Sequence, residues 1–354
     1  MKKHGGDIYT AKELLKTEEL KDFSANINPF GVSASVRRAI EDSVQNLVHY
    51  PDPYCRKLRE ALARYHRVNP EHIVCGNGGA DIIFRFVRAS SPSSAIVPVP
   101  TFSEYGEALE ECGCKINYFE MQKPFQLTEA LVQEISDGDY DFLALCNPNN
   151  PTGSLIELGL LYKILDTAKR KKITVLLDEC FLDMSGDEYS MIAKINSYPN
   201  LFILKSMTKL YAVPRLRLGY GICADSEMVE RVRTTGQPWP VSTLANAAGC
   251  AALKDEKYRR QFLEFLQQER QYLYNGLRRL GFCVWEPHAN YVFFQAQGCG
   301  DLDKRLLKNR ILLRHCDNYQ GLDADYYRAA VRTHGENEYF LSCLQEIVGE
   351  RSAF

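Results

Sequence analysis

Residue types that can bind phosphate, form covalent bonds or carry protons recur just after short apolar runs in this chain. Five segments share this placement: NPNNPTG at 147–153, DE at 178–179, SMTK at 206–209, RLGY at 217–220 and the glycine loop GNGG at 76–79. Each segment alone also fits a turn or a helix cap. Because all five follow apolar runs, their repetition predicts that they converge on a single crevice.

One lysine, one carboxylate, a phosphate-sized nest and an aromatic plate are together what pyridoxal phosphate requires. Lys209 is the candidate to bind the cofactor aldehyde, because a partly desolvated lysine has a lowered pKa and becomes a usable nucleophile and proton carrier. Asp178 is placed to keep the ring nitrogen protonated, so that the ring can accept the electron pair left when a bond to the substrate α-carbon breaks. These two residues are the predicted catalytic residues.

The phosphate end of such a cofactor needs N–H donors and positive charge. The helix that begins after Gly78 and Gly79 offers free backbone N–H groups and a partial positive charge. Ser206 could add a hydroxyl group, and Arg217 a fork of donors. The sequence therefore predicts a phosphate site formed by these four residues.

Two further residues are candidates for the ring of the cofactor. Phe102 ends the segment VPTF and could lie flat on the ring, although packing in the core explains a phenylalanine here equally well. Asn150 could donate a hydrogen bond to the ring oxygen, whereas without its neighbours it would be taken for an ordinary turn residue.

The elements that must position these residues alternate between apolar strands and amphipathic helices. Runs at 72–75, 95–99, 142–146, 173–177 and 201–204 predict strands, with helical patterns such as 157–169 between several of them. Such an alternation predicts an α/β fold with a mainly parallel sheet covered by helices on both faces. Ligand chemistry then belongs at the carboxyl ends of the strands.

The C-terminal part has a different pattern. A long helical pattern at 255–280 precedes predicted strands at 291–294, 311–314 and 327–331, with helices around 302–308 and 338–348. We therefore expect a second, smaller α/β domain. The predicted division is an N-terminal segment at 1–40 that joins the small domain and the active site, a large cofactor-binding domain at 41–253 and a small domain at 254–354.

Composition excludes several classes of protein. The 354 residues include 43 Lys plus Arg and 45 Asp plus Glu, so no net positive charge favours nucleic acid. No apolar run approaches the roughly 18 residues that span a bilayer, and no apolar signal region follows the N-terminus, which favours a cytoplasmic protein. The 12 cysteines are scattered without a Cys-x-x-Cys pair, so we expect reduced thiols in apolar settings and no metal site.

The chain resembles the fold-type I pyridoxal-phosphate enzymes of the histidinol-phosphate aminotransferase class over essentially its whole length. NPNNPTG, DE-x-F, SMTK and RLRLGY occur in the order and with the spacings of that family. The resemblance implies a homodimer with active sites at the subunit interface. It also implies that Tyr50, in HYPD, reaches the cofactor phosphate of the neighbouring subunit.

Within this class, HGG at 4–6, DFSANINP at 22–29 and YYR at 326–328 look like the threonine-phosphate decarboxylases of cobalamin biosynthesis. That resemblance implies that Arg328 holds the substrate α-carboxylate, that Arg314 holds its phosphate and that Asn150 touches both cofactor and substrate. His4, Gly5 and Asn26 would close over the ligand. From residue type alone, Arg314 and Arg332 would instead be taken for surface ion-pair residues.

Two positions depart from the common pattern. Phe181 stands where aminotransferases commonly have a tyrosine, so a hydroxyl partner for the ring oxygen is missing, which favours the decarboxylase. Arg215 stands where glycine is usual, and it either adds a cation near the cofactor phosphate or the site entrance or faces solvent.

The hypothesis for the reaction is decarboxylation of O-phospho-L-threonine to (R)-1-amino-2-propanol O-phosphate. The bond held perpendicular to the cofactor ring is the one that breaks, and the sequence does not reveal that angle. The alternatives are decarboxylation of O-phosphoserine, which differs by one methyl group, and a histidinol-phosphate-type aminotransferase. From a different class, the chain could be a non-catalytic regulator or binding module that retains this fold.

Overall fold

The N-terminal part of the chain is a set of helices and one short strand. The computed structural model describes residues 4–351. The elements are α1 (Ile8–Leu15), β1 (Lys21–Asp22), α2 (Ala34–Ser43) and α3 (Arg56–His66). Residues 21–23 hydrogen bond to the C-terminal part of the chain, since the N–H of Phe23 donates to Leu312 and its carbonyl accepts from Ala330.

A seven-stranded sheet follows, in the order β2-β8-β7-β6-β5-β3-β4. All neighbouring pairs are parallel except the two formed by β8, which runs antiparallel to β2 and β7. Its strands are β2 (Ile73–Gly76), β3 (Ser94–Val99), β4 (Lys115–Glu120), β5 (Phe142–Cys146), β6 (Thr174–Asp178), β7 (Leu201–Ser206) and β8 (Gly219–Cys223). The helices between and after them are α4 (Gly79–Ser90), α5 (Glu104–Glu111), α6 (Glu129–Asp137), α7 (Leu158–Arg170), α8 (Ser226–Thr235) and α9 (Thr243–Ala252).

The C-terminal part forms a smaller sheet beside a long helix. The sheet has the order β12-β13-β10-β9 and is antiparallel, while β1 and β11 form a separate parallel pair. The elements are α10 (Glu256–Arg279), β9 (Cys283–Val284), β10 (Tyr291–Gln295), α11 (Leu302–Lys308), β11 (Ile311–Leu312), β12 (Arg314–His315), β13 (Tyr326–Ala330) and α12 (His334–Arg351).

The α/β fold, with a mainly parallel sheet, is confirmed. The central strands are buried throughout, and the apolar face of α4 packs into the same core through Ile82, Ile83, Phe86 and Val87. Two strands of the large sheet were not predicted. The residues of β4 alternate between exposed and half-buried at an edge of the sheet, and the glycines of β8 (GYGIC) weaken any strand pattern.

The single strand predicted at 311–314 is wrong. Ile311 and Leu312 pair with β1, whereas Arg314 and His315 pair with β13, so the run divides between two sheets at Leu313. Three apolar residues followed by an arginine carry no signal for such a division, because both halves are extended.

Candidate active site

A cavity of about 670 Å³ lies at the carboxyl ends of β5, β6 and β7. These strands end at Cys146, Asp178 and Ser206, and each of the five predicted segments contributes at least one residue to the cavity wall. Twelve of the predicted site residues line the cavity: His4, Gly5, Asn26, Gly79, Phe102, Asn150, Asp178, Ser206, Lys209, Arg217, Arg314 and Arg328. The fold therefore brings together residues that are far apart in the sequence.

Lys209 follows β7 and is half-buried in this cavity. Its Nζ lies 3.2 Å from Oγ of Ser206 and 5.3 Å from the centre of the Phe181 ring. Oγ of Ser206 is also 2.8 Å from the hydroxyl oxygen of Thr208. A primary amine is thus presented to the cavity beside an aromatic face.

Asp178 is the last residue of β6 and is only 5% exposed. Its Oδ1 accepts the backbone N–H of Cys180 at 2.8 Å, and its Oδ2 accepts the hydroxyl group of Tyr105 at 2.6 Å. Burial, and then the negative charge of Asp178, raise the pKa of Tyr105 well above its usual value, so this hydroxyl remains a donor. The carboxylate is therefore held by two donors at the cavity wall.

Tyr105 is a site residue that the sequence analysis missed. It lies in α5, three residues after Phe102, and the two rings pack edge to face with their centres 5.7 Å apart. The sequence offers one signal for Tyr105, which is its spacing of three residues from Phe102. That spacing does not indicate that its hydroxyl group reaches Asp178.

The start of α4 and Arg217 lie close together and are the residues that could hold a phosphate. Gly78 has a φ of +90°, and a Cβ atom built on it would lie 2.6 Å from Nη2 of Arg217. A side chain at Gly78 would therefore displace the guanidinium group. Gly79, the first residue of α4, and Arg217 both line the cavity, so the start of this helix and the guanidinium group are near enough to bind one anion together.

Asn150 links the cofactor side of the cavity to its C-terminal side. It is buried, and its Oδ1 accepts hydrogen bonds from Nη1 of Arg328 and, at 3.3 Å, from the hydroxyl group of Tyr319. Phe102 is half-buried at the cavity, with its ring centre 6.3 Å from that of His4. Their predicted contacts with the cofactor ring stay predictions.

Arg314 and Arg328 lie opposite each other on β12 and β13, and each is 5% exposed. Interpretation of Arg314 as a surface ion-pair residue is wrong, whereas the half-buried Arg332 does pair with Glu336 at 3.1 Å. Successive side chains of a strand point to opposite faces, and the Arg314 side chain points to the cavity. A single sequence does not show which face of a short strand is the inner one.

The two guanidinium groups donate to neutral oxygens. Arg314 donates to the carbonyl of His315 and to Oδ1 of Asn318, both at 2.7 Å. Arg328 donates to the carbonyl of Ser24 at 2.9 Å, and its buried Nε has no partner in the described structure. Two buried guanidinium groups without a carboxylate partner, one of them with an unpaired Nε donor, favour a ligand with anionic groups.

The N-terminal residues close one side of the cavity. A Cβ atom on Gly5 would lie 2.1 Å from the carbonyl oxygen of Ser24, so only glycine allows this close backbone approach. Nε2 of His4 lies 3.4 Å from Oε1 of Glu104, and Oδ1 of Asn26 is buried without a partner in the part of the chain described.

Tyr50 lies outside this cavity. Its side chain is 81% exposed and stacks on Trp239 with ring centres 4.7 Å apart. Its predicted role in a neighbouring subunit therefore stays a prediction.

Nine of the 12 cysteines are buried, and all are free thiols. Burial raises the pKa values of Cys146 and Cys180, which lie at the cavity, so both thiols are protonated at neutral pH. Within residues 4–351 there is no group of three or more His, Cys, Asp or Glu side chains placed to hold a metal ion. None of the helices described is long and apolar enough to cross a membrane.

Comparison with known proteins shows the family of this chain. Residues 18–343 match the model of the aminotransferase class I and II family. The chain is 39% identical to threonine-phosphate decarboxylase from Salmonella typhimurium over 98% of this chain and 96% of that protein. It is 29% identical to histidinol-phosphate aminotransferase from Methanococcus aeolicus, covering 94% of this chain and 91% of that one. The crystal structure of histidinol-phosphate aminotransferase from Clostridium acetobutylicum superposes with a TM-score of 0.89 at 31% identity, covering 94% of this chain and all of the other.

The fold and the site define a fold-type I enzyme that depends on pyridoxal phosphate. An amine, a buried carboxylate and a phosphate cradle that a Cβ atom would fill share one cavity, and this donor set fits the cofactor. The chain belongs to the aminotransferase class I and II family.

Proposed function

We propose that this enzyme decarboxylates O-phospho-L-threonine to (R)-1-amino-2-propanol O-phosphate, as a step of cobalamin biosynthesis. The observation that carries the proposal is the pair of buried arginines, Arg314 and Arg328, in the same cavity as Lys209 and Asp178. A substrate with a carboxylate and a phosphate group provides one anion for each guanidinium group. The 39% identity to the Salmonella protein supports the same assignment.

When bound, pyridoxal phosphate supplies the aldehyde and the electron-accepting ring that decarboxylation of an amino acid requires. Lys209 Nζ would bind that aldehyde in the resting enzyme. Asp178 would hold the proton at the ring nitrogen, and Tyr105 and the Cys180 N–H fix the direction of its carboxylate. At the other end, the start of α4, Ser206 and Arg217 would hold the cofactor phosphate.

Arg328 would bind the substrate α-carboxylate and so determine the reaction. Its Nη1 and Nη2 each donate one hydrogen bond, to Asn150 and Ser24, while its Nε has no partner among the described residues and could donate to a ligand. This fixed guanidinium group would orient the carboxylate, and that orientation would decide which bond to the α-carbon breaks most readily. Carbon dioxide leaves, and a proton carried on Lys209 Nζ takes its place on the carbon.

Phe181 supports a decarboxylase over an aminotransferase. It is buried between Lys209 and Tyr291, with the two aromatic rings edge to face at 5.1 Å. A phenylalanine here provides no hydroxyl group for the ring oxygen, so Asn150 would be its partner.

A homodimer in the cytoplasm completes the proposal. Val44, Leu47, Val48, Tyr50 and Trp239 are large apolar or aromatic side chains that this protomer leaves exposed. Covering them with a second copy of the chain would bury apolar surface. It would also bring Tyr50 to the partner's cofactor phosphate.

Histidinol-phosphate-type transamination is the second candidate, favoured by the Clostridium acetobutylicum and Methanococcus aeolicus proteins. The holoenzyme is incubated with O-phosphothreonine and no keto acid. A decarboxylase releases carbon dioxide over many turnovers, whereas an aminotransferase stops after one turnover with the cofactor as pyridoxamine phosphate. A parallel reaction with O-phosphoserine measures the discrimination of one methyl group, about 1 to 3 kcal/mol. Single-turnover arrest with both substrates would refute the proposal.

A further inference from the structure

A segment at residues 4–15, here called the strap, covers one side of the active-site cavity. His4, Gly5, Gly6, Ile8 and Tyr9 from this segment line the cavity wall. Of the eight residues of α1, which forms most of the strap, only Ala11 is buried. So little buried surface means that packing alone holds the strap weakly, and such segments open readily.

Besides the local pair of Lys12 and Glu18, at 2.9 Å, polar contacts connect the strap to more distant parts of the described chain at three places. The N–H of Gly6 donates to Oγ of Ser24 at 2.7 Å. His4 Nε2 lies 3.4 Å from Glu104. At the third place, Nη2 of Arg215 donates to the hydroxyl oxygen of Tyr9 at 2.7 Å, and its guanidinium carbon lies 5.9 Å from the centre of that ring.

The third contact joins the strap to the segment that carries the phosphate-binding arginine. Arg215 lies in the 3₁₀ turn Pro214–Leu216, two residues before Arg217, and it lines the cavity. Neither residue of the pair is buried, since Arg215 is exposed and Tyr9 is 65% exposed. A glycine at position 215, which is the usual residue in the family pattern, has no side chain to make this contact.

We propose that Arg215 is a positioning residue that acts through Tyr9. Their contact holds the strap closed over the bound substrate and so keeps His4 and Gly5 against it. Arg215 itself neither touches the reacting atoms nor replaces Arg217 at the cofactor phosphate. The extra cation at the entrance of the site thus has the role of holding the strap closed.

The hydrogen bond between Arg215 and Tyr9 is weak enough for the strap to open in every turnover. An exposed hydrogen bond from a charged donor to a neutral hydroxyl group is modest, and its loss changes the ratio of closed to open strap by about two- to tenfold. Substrate and product pass while the strap is open, and water is excluded while it is closed. A buried ion pair at this place would hold the strap too firmly for rapid release.

Hydrogen exchange of backbone amides tests the proposal directly. It is measured at residues 6–15 of the holoenzyme for Arg215→Ala, Tyr9→Phe and the double variant. Tyr9→Phe keeps the ring and removes only the hydroxyl group. Arg88→Ala is the control, because it removes another exposed arginine, one that pairs with Glu111 at 2.9 Å on the large domain. Arg215→Lys tests rescue by a shorter cation.

Each single variant should speed exchange in the strap by about two- to tenfold, and the double variant should add nothing further. The control should leave strap exchange unchanged, and Arg215→Lys should restore part of the protection. With substrate, KM should rise by a similar factor while kcat changes less. Unchanged strap exchange in Arg215→Ala, or additive effects in the double variant, would overturn the proposal. Because exchange is measured without turnover, that failure is distinguishable from failure of the proposed reaction.

Discussion

Tyr105 donates its hydroxyl proton to Oδ2 of Asp178 at 2.6 Å, so the carboxylate that we propose for the ring nitrogen of the cofactor is oriented by a residue that is itself fully buried. Oδ1 accepts the N–H of Cys180 at 2.8 Å, which fixes the other oxygen. An aspartate held at both oxygens keeps one orientation at the cavity wall. Tyr105 would thereby act on the proposed chemistry through Asp178.

Removal of this hydroxyl group should reduce activity while the fold is retained. We expect Tyr105→Phe to lower kcat/KM about tenfold, roughly the 1.4 kcal/mol of one lost hydrogen bond to a charged group. Tyr198→Phe is the matched control, because the Tyr198 hydroxyl group donates to Asp166 at 3.0 Å away from the cavity. Steady-state kinetics of both variants check this. An equal loss in the two would show that Tyr105 contributes only to stability.

The sequence predicted which residues share one cavity where those residues stand at the ends of strands. Asp178 and Ser206 end their strands, and Lys209 follows three residues later, so the rule that ligands bind at the carboxyl ends of strands placed them correctly. The sequence did not predict side-chain contacts between separate elements. The hydroxyl group of Tyr105 meets Asp178 across 73 positions, and Arg215 meets Tyr9 across 206. Neither pairing leaves a periodic signal in a single sequence.

Arg314 and Arg328 should have separable effects on substrate choice. Arg314→Ala should lower kcat/KM for O-phosphothreonine at least about 30-fold, equivalent to about 2 kcal/mol, because a buried anion loses its partner. For unphosphorylated threonine it should change little. Arg328→Ala should weaken both substrates, because both carry the α-carboxylate. The comparison is a two-by-two table of kcat/KM values, with Arg314→Lys included to separate charge from the bidentate fork.

An unchanged preference of Arg314→Ala for the phosphorylated substrate would contradict this assignment. A large loss with both substrates would instead indicate that Arg314 supports the cavity wall through Asn318, to which it donates at 2.7 Å.

Mixed dimers test whether Tyr50 acts across the subunit interface. Lys209→Ala should be inactive, and Tyr50→Phe should be weakened about tenfold by loss of one hydrogen bond. In a mixed dimer of the two variants, one site combines the intact lysine of one chain with the intact tyrosine of the other. Random exchange of equal amounts should therefore give about a quarter of wild-type activity.

The same mixture distinguishes the alternatives for Tyr50. If the tyrosine acts within its own chain, mixing gives only the average of the two parent activities, measured after subunit exchange in mild denaturant. Tyr50→Phe retains the stacking on Trp239, at 4.7 Å between ring centres, so a change in activity reports on the hydroxyl group.

Acid should destabilise this protein through His66, which lies outside the active site. Burial, and then the positive charge of Lys205, lower the pKa of His66 to about 4, and its Nε2 lies 2.8 Å from the hydroxyl group of Tyr220. The unfolded chain, with a histidine pKa of about 6.5, binds the proton more readily than the folded chain. Stability contributed by neutral His66 is therefore complete above about pH 6.5 and is lost as the pH falls towards 4.

The loss of stability amounts to about 2 to 3 kcal/mol, and His66→Gln should remove it. Urea unfolding at pH 7.5 and pH 5, with and without the substitution, measures the difference; an equal acid loss in both proteins would assign it to other groups.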